Sequence, residues 1–508
     1  MNFGSRILGV ALVLALLVSA FGFAVPAEAS ARTASWVVSV TYQNVGANPA
    51  EVMVDFYPEG SGTPISFNPL GAGNTLGAGA GASFFIGSVS GLPTPFKGSA
   101  VMSSTEPLVA TVVQFSQDAG FRVRMLSNGF SESDASSQYL IATTLANKFN
   151  RTTVFSVQNA ASATIRANIK FYDADNNGVL AGQITHVIPA GSSKYIEMDN
   201  PATTGLPAGT TVFNGSAIIT AVLDSDGTTP AKVVAAASEL YTNKNLGANF
   251  EGVPLSRASN TLYMATALCE KFELNTAYAV QNASLTDNAD ITVQYYDQDG
   301  ALKTTDGPYT IGPGQKKSIL TCQPSSGMNM SGFTGSAKIT STGAPIVAIG
   351  KAAPMTGASA AKENVFTAFL GEPAGSSKIA LPYVRWANDA NFANSTGNKM
   401  RASLAIQNLE TTTIKVNVKY YGKAGGTPLA THVLTIPGFS KGNSDAKTAG
   451  ALGLAGMVPG EFGYYSDGTF GGAVIVEAHP DNPTAKFIAI ARLAFPGYAE
   501  DYNGQPVP

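Results

Sequence analysis

The chain has 508 residues, too many for one ordinary hydrophobic core, so several domains are expected. Hydrophobic residues make up 44% and charged residues only 13%, which excludes the highly charged composition of a disordered protein. A net charge of −3 without any Lys/Arg run excludes the basic footprint of a nucleic-acid binder.

The N-terminus reads as an export leader. Arg6 supplies the positive end, 7–25 is an apolar run, and Ala27-Glu28-Ala29 offers a small-x-small cleavage pattern, which makes 1–29 a signal peptide. A retained anchor is the rival reading, because the run approaches spanning length. No Cys follows to accept a lipid and no second apolar run could anchor the C-terminus. The mature chain is therefore expected to be secreted or held at the cell surface, without a membrane span.

Beyond the leader, one pattern recurs four times. Gln-Asn doublets stand at Gln43-Asn44, Gln158-Asn159, Gln281-Asn282 and Gln407-Asn408. Each is followed, 13, 13, 14 and 13 residues after its Asn, by the second member of an aromatic pair: Phe56-Tyr57, Phe171-Tyr172, Tyr295-Tyr296 and Tyr420-Tyr421. Later come Gly98-Ser99-Ala100, Gly215-Ser216-Ala217 and Gly335-Ser336-Ala337, with Gly471-Gly472-Ala473 taken as the fourth copy. Successive Asn positions lie 115, 123 and 126 residues apart. Periods that long are whole domains in series, since solenoid repeats span roughly 20–50 residues.

Before each aromatic pair the sequence alternates. Val52, Val54 and Phe56 point one way and Met53, Asp55 and Tyr57 the other. Period two is the mark of a strand with one buried and one wet face, as in an antiparallel sandwich. Turn residues follow each pair, and Pro189-Ala190-Gly191, Pro313-Gly314 and Pro437-Gly438 precede further strands. About seven strands per copy result, and no amphipathic helix competes. The fold class is all-β: four tandem immunoglobulin-like antiparallel β-sandwich domains, at 35–126, 138–245, 261–355 and 377–498. Short polar linkers, such as 127–137 and 371–377, predict a semi-rigid rod.

These motifs, with LANKF (145–149), FYDAD (171–175) and the later Pro-Gly turns, resemble the CARDB group of immunoglobulin-like domains. The order of motifs also resembles tandem repeats in exported proteins of filamentous Gram-positive-like and thermophilic bacteria. The resemblance covers nearly all of 35–498. It implies display or adhesion at a bacterial surface, with other surface proteins, polysaccharide or further copies of the chain as partners, and it supplies no catalytic residues. The first copy departs from the pattern. It begins at Ser35, without the leading strand that later copies carry as 139–149 and 262–272. An open sheet edge there could accept a strand from another chain; a short edge strand from 30–36 is the plainer alternative.

Candidate sites are few. Asp173, Asp175 and Asn177 open a calcium-loop pattern, but its twelfth position is Ile184 instead of Glu, so a turn without metal competes. No other cofactor is indicated. Cys269 and Cys322 both fall in the third copy, and an exported chain would bridge them; two buried thiols are the alternative. His186 and His432 occupy matching contexts, which suggests a repeated strand residue rather than one catalytic His. No G-x-S-x-G, H-E-x-x-H or P-loop occurs, and 71–83 is a glycine-rich loop without the Lys of a phosphate cradle. The expected chain is not an enzyme. Tyr57, Tyr172, Tyr296 and Tyr421 point away from the core, where they could stack on sugar rings or contact an adjoining domain.

Overall fold

The computed structural model describes residues 12–14, 34–116, 123–176, 178–244, 246–360, 362–394 and 399–507; for 12–14 only the backbone is described. The charged end and the cleavage motif of the expected leader lie outside these residues. Eight antiparallel sheets, two for each copy of the repeat, carry the described chain. Among the described residues, no helix is long and apolar enough to cross a membrane.

The second unit shows the plan. Its leading strand Gln138–Ala146 pairs with Phe213–Leu223, which pairs with the aromatic strand Ile165–Asp173, which pairs with Val179–Ile188. Val253–Pro254 closes the other side of the leading strand. The facing sheet runs Ser193–Glu197, Arg151–Asn159, Val233–Tyr241, Gly247–Glu251. The predicted alternation packs the space between them: Ile165, Ala167, Ile169 and Phe171 are all buried, and Phe171 sits 6.3 Å from Phe155 of the opposite sheet. The first aromatic of every doublet (Phe56, Phe171, Tyr295, Tyr420) is fully buried. Each such side chain contributes about 2–3 kcal/mol of hydrophobic stabilisation.

Each unit carries more than the seven strands expected. The extra ones come from stretches read as linkers or as a plain C-terminus. Arg124–Asn128, Gly247–Glu251, Thr367–Leu370 and Tyr498–Asn503 form a tail strand in each unit. Three of them mix small, polar and charged residues, and the four-residue strand of the third unit is short, so they show no period-two signature. The reason is their surroundings: both faces are covered, one by their own unit and one by other units.

Those tail strands overturn the rod. The tail strand of the first unit packs on that of the second, the second on the third, the third on the fourth, and the fourth back on the first. Four units thus close into a ring around their tail strands.

The first unit has a leading strand after all. Its place is taken by Leu12–Leu14, which lies within the expected leader. Leu14 pairs with Ala100, as Ile141 pairs with Ala217, Met264 with Ala337 and Leu381 with Val474. Its other edge pairs with Phe130–Ser131.

Candidate functional site

The recurrent motifs converge on the joints between units. Asn159 acts within its own unit. Its amide donates to Ala163 O and Ile188 O at 2.8 and 2.9 Å, and its carbonyl accepts from Ala161 N. Asn44, Asn282 and Asn408 make the same three bonds in their units. The neighbouring Gln reaches outward. Gln158 donates to Ala100 O of the first unit at 3.4 Å, Gln281 to Ala217 O of the second at 3.3 Å, and Gln407 to Ala337 O of the third at 3.4 Å. One half of the doublet pins a loop, and the other half pins a neighbour.

The aromatic doublet divides its work in the same way. Its second ring lies under the turn of the next unit, where position three of the turn has positive φ: Gly191 over Tyr57 and Gly314 over Tyr172, both with φ +72°. A Cβ on Gly191 would come within 2.5 Å of the Tyr57 ring, so glycine is required both by conformation and by space. In the fourth unit Phe439 takes that turn position at φ 57° and packs its ring 5.2 Å from Tyr296. A serine hydroxyl completes each joint: Ser99 to Gly191 O at 2.8 Å, Ser216 to Gly314 O at 2.7 Å, Ser336 to Phe439 O at 2.6 Å. Tyr57 and Tyr172 are half-buried and Tyr296 and Tyr421 buried, so these rings serve adjoining domains and do not form an open row.

The closing joint, from the fourth unit to the first, keeps the positive-φ turn, with Gly79 at +73° over Tyr421, but differs in its other parts. Pairing of Tyr421 with Ala473 and Gly422 with Gly472 shows that the true counterpart of Gly-Ser-Ala is Gly472-Ala473-Val474, one residue beyond the expected alignment. The serine is absent there. In its place Gly81 N donates to Lys423 O and Gly426 N to Ala78 O, and Val113 and Leu126 join the fourth unit's core.

Around the ring axis the tail strands bring polar groups together. Glu251 accepts from Asn128 N, Asn128 donates to Asn503 O at 2.7 Å, and Asn503 bonds both backbone groups of Leu370. Arg257 pairs with Glu372. These groups border a cavity of about 520 Å³. Burial pushes the Glu251 carboxyl up to about 7, and burial also raises Glu372 despite Arg257.

Two equivalent clefts open where the second unit meets the third and the third meets the fourth, with volumes of 490 and 790 Å³. Phe149 borders the first and Phe272 the second, and these rings are 59% and 62% exposed. Each sits in a two-residue hairpin closed by Arg151 N to Lys148 O at 3.0 Å or Leu274 N to Lys271 O at 3.1 Å. Phe149 and Asn150 have φ of 55° and 56°, Phe272 and Glu273 56° and 61°. Such turns favour Asn-Gly; a Phe there costs about 1–2 kcal/mol. At the same depth in each cleft lies a lysine, Lys316 or Lys441. Burial pulls both ammonium groups down to about 7, reinforced by Lys351 beside Lys316 and by Arg492 beside Lys441. In the first cleft Glu239 is fully buried between Arg151, at 2.5 Å, and Lys351. Burial would raise its carboxyl, but the two cations prevail and hold it at about 2.

The other predicted residues fall as follows. Cys269 and Cys322 form a disulfide. Asp173 accepts the N–H of Asp175, and Asp175 takes Lys148 at 2.8 Å and Asn214 at 2.6 Å, so both carboxylates are used within the protein. Asn177 lies outside the described residues. His186 and His432 are half-buried strand residues, bonded to Thr203 O and Ser444 Oγ. Sequence reasoning passed over Phe149, Phe272, Lys316 and Lys441. Aligned copies held the signal: KF recurs at 148–149 and 271–272, and a lysine shortly after the Pro-Gly turn at 316 and 441.

No protein-family model matches the chain, and no curated protein matches it. One similar solved structure is the BSP domain of a biofilm associated protein, 8% identical over 93% of this chain and 91% of that one. Its TM-score of 0.14 carries no argument.

Proposed function

We propose that this is an exported, non-enzymatic structural or adhesive protein of the cell surface, acting as a subunit of an extracellular assembly. The observation that supports the reading is the first unit's leading-strand place, filled by Leu12–Leu14 from the expected leader. Cleavage after Ala29 would remove that strand and leave Gly98–Ser104 and Phe130–Ser131 with unpaired backbone groups facing each other. A two-sided slot of this kind is completed by a strand from another chain. The recurrent Gln-Asn and aromatic doublets support the same reading, because they are committed to loops and to joints between units.

The test uses the chain from residue 30 onward. A peptide with the sequence of Gln138–Ala146, the second unit's own leading strand, should bind with one peptide per chain and raise the melting temperature. Strict monomers at high concentration that ignore the peptide would overturn the assembly reading.

A further inference from the structure

We infer that the two equivalent clefts bind acidic carbohydrate, with one carboxylate-bearing sugar in each. Lys441 is the observation that demands a ligand. It is 7% exposed and borders the larger cleft, and its ammonium has no hydrogen bond or ion pair among the described residues. The acid whose charge acts on it, Asp501, is committed to Arg492 through bonds of 2.8 and 2.6 Å. A buried cation without a partner is unfavourable in the free protein and becomes favourable once an anion reaches it. Lys316 takes the equivalent place in the other cleft, where it donates to the Thr143 hydroxyl at 3.3 Å and shares Glu239 with Lys351 and Arg151, so cations still outnumber that anion.

The rest of each cleft specifies what carries the anion. Phe149 and Phe272 hold rings at the mouth, on hairpins whose backbone would prefer Asn-Gly. A side chain kept in an unfavourable conformation and exposed to water contributes little to its own fold, and an aromatic ring there suits the apolar face of a sugar. Thr143 and Thr266, at matching positions on the leading strands, add a hydroxyl to each wall. Volumes of 490 and 790 Å³ admit short stretches of a polymer. A cation deep in the cleft, a hydroxyl beside it and a ring at the entrance together match a uronate. This inference does not depend on strand exchange in the first unit, so either can fail alone.

The experiment is calorimetric titration of the full chain with a galacturonate tetramer, with a neutral galactose tetramer and inorganic phosphate as controls. Two sites per chain are expected for the acidic sugar, with at least tenfold weaker binding of either control. Lys441→Met should weaken one site at least tenfold, and Phe272→Gly should weaken it several-fold. Neither variant should lower the melting temperature, because one removes a buried unpaired charge and the other relieves the hairpin. Absence of binding, equal binding of the neutral sugar or of phosphate, or unchanged affinity in both variants would overturn the assignment.

Discussion

The three joints between consecutive units and the joint that closes the ring solve one packing problem in two ways. Consecutive joints carry a serine hydroxyl, a glutamine amide and a positive-φ turn over a tyrosine. The closing joint keeps the turn, with Gly79 at φ +73° over Tyr421, but has Ala473 where the serine would be; its side-chain bonds come from elsewhere, Arg124 to Tyr383 and Gln505 to Ala110 O, and Val113 and Leu126 join the fourth unit's core. Consecutive units are already tethered, so directional bonds can fix their angle at small entropic cost. The first and fourth units lie hundreds of residues apart, and bringing them together costs more chain entropy. The closing contact offsets that cost with apolar area as well as side-chain bonds between the two units.

The contrast can be broken at its most charged point. Glu239→Gln leaves Arg151 and Lys351 buried beside Lys316 without an anion, and the loss should be about 3–5 kcal/mol, read by chemical denaturation. A loss below about 1 kcal/mol would mean that water relieves those cations. The axial contact offers a pH test. Folded Glu251 holds its proton up to about 7, whereas the unfolded carboxyl releases it near 4.5. The folded chain therefore binds more protons between these values, and stability should fall as pH rises from about 4.5 to 7, by up to about 3 kcal/mol. Glu251→Gln should flatten that slope. The smallest effect sharpens the comparison directly. Ser216→Ala should cost about 1 kcal/mol at a consecutive joint, while Ala473→Ser should add no stability at the closing joint, where a Cβ on Gly79 would stand 3.5 Å from the Tyr421 ring against 2.9 Å for Gly314 over Tyr172. A gain of about 1 kcal/mol from Ala473→Ser would erase the distinction between the joints.

Much of each unit was legible because it depends on local pattern. Alternation placed Phe56, Phe171, Tyr295 and Tyr420 in the core. The pair Cys269 and Cys322 was legible because both fall in one copy. What escaped depends on contacts between distant units. The tail strands pack on both faces, so their polar residues imitate linkers. Gln158 looks like any strand-end glutamine until the neighbouring unit supplies Ala100 O. Lys441 carries no sign of burial in sequence, since lysine is ordinarily a surface residue. The fourth Gly-Ser-Ala shifted by one residue because Gly471 and Gly472 offered two registers and only strand pairing chose between them.

Closure of the ring is tested most directly by small-angle X-ray scattering of the purified chain. A closed, compact arrangement of four units predicts a radius of gyration of about 23–28 Å. A value roughly twice as large, with a pair-distance distribution drawn out to one side, would mean a rod and would contradict the account.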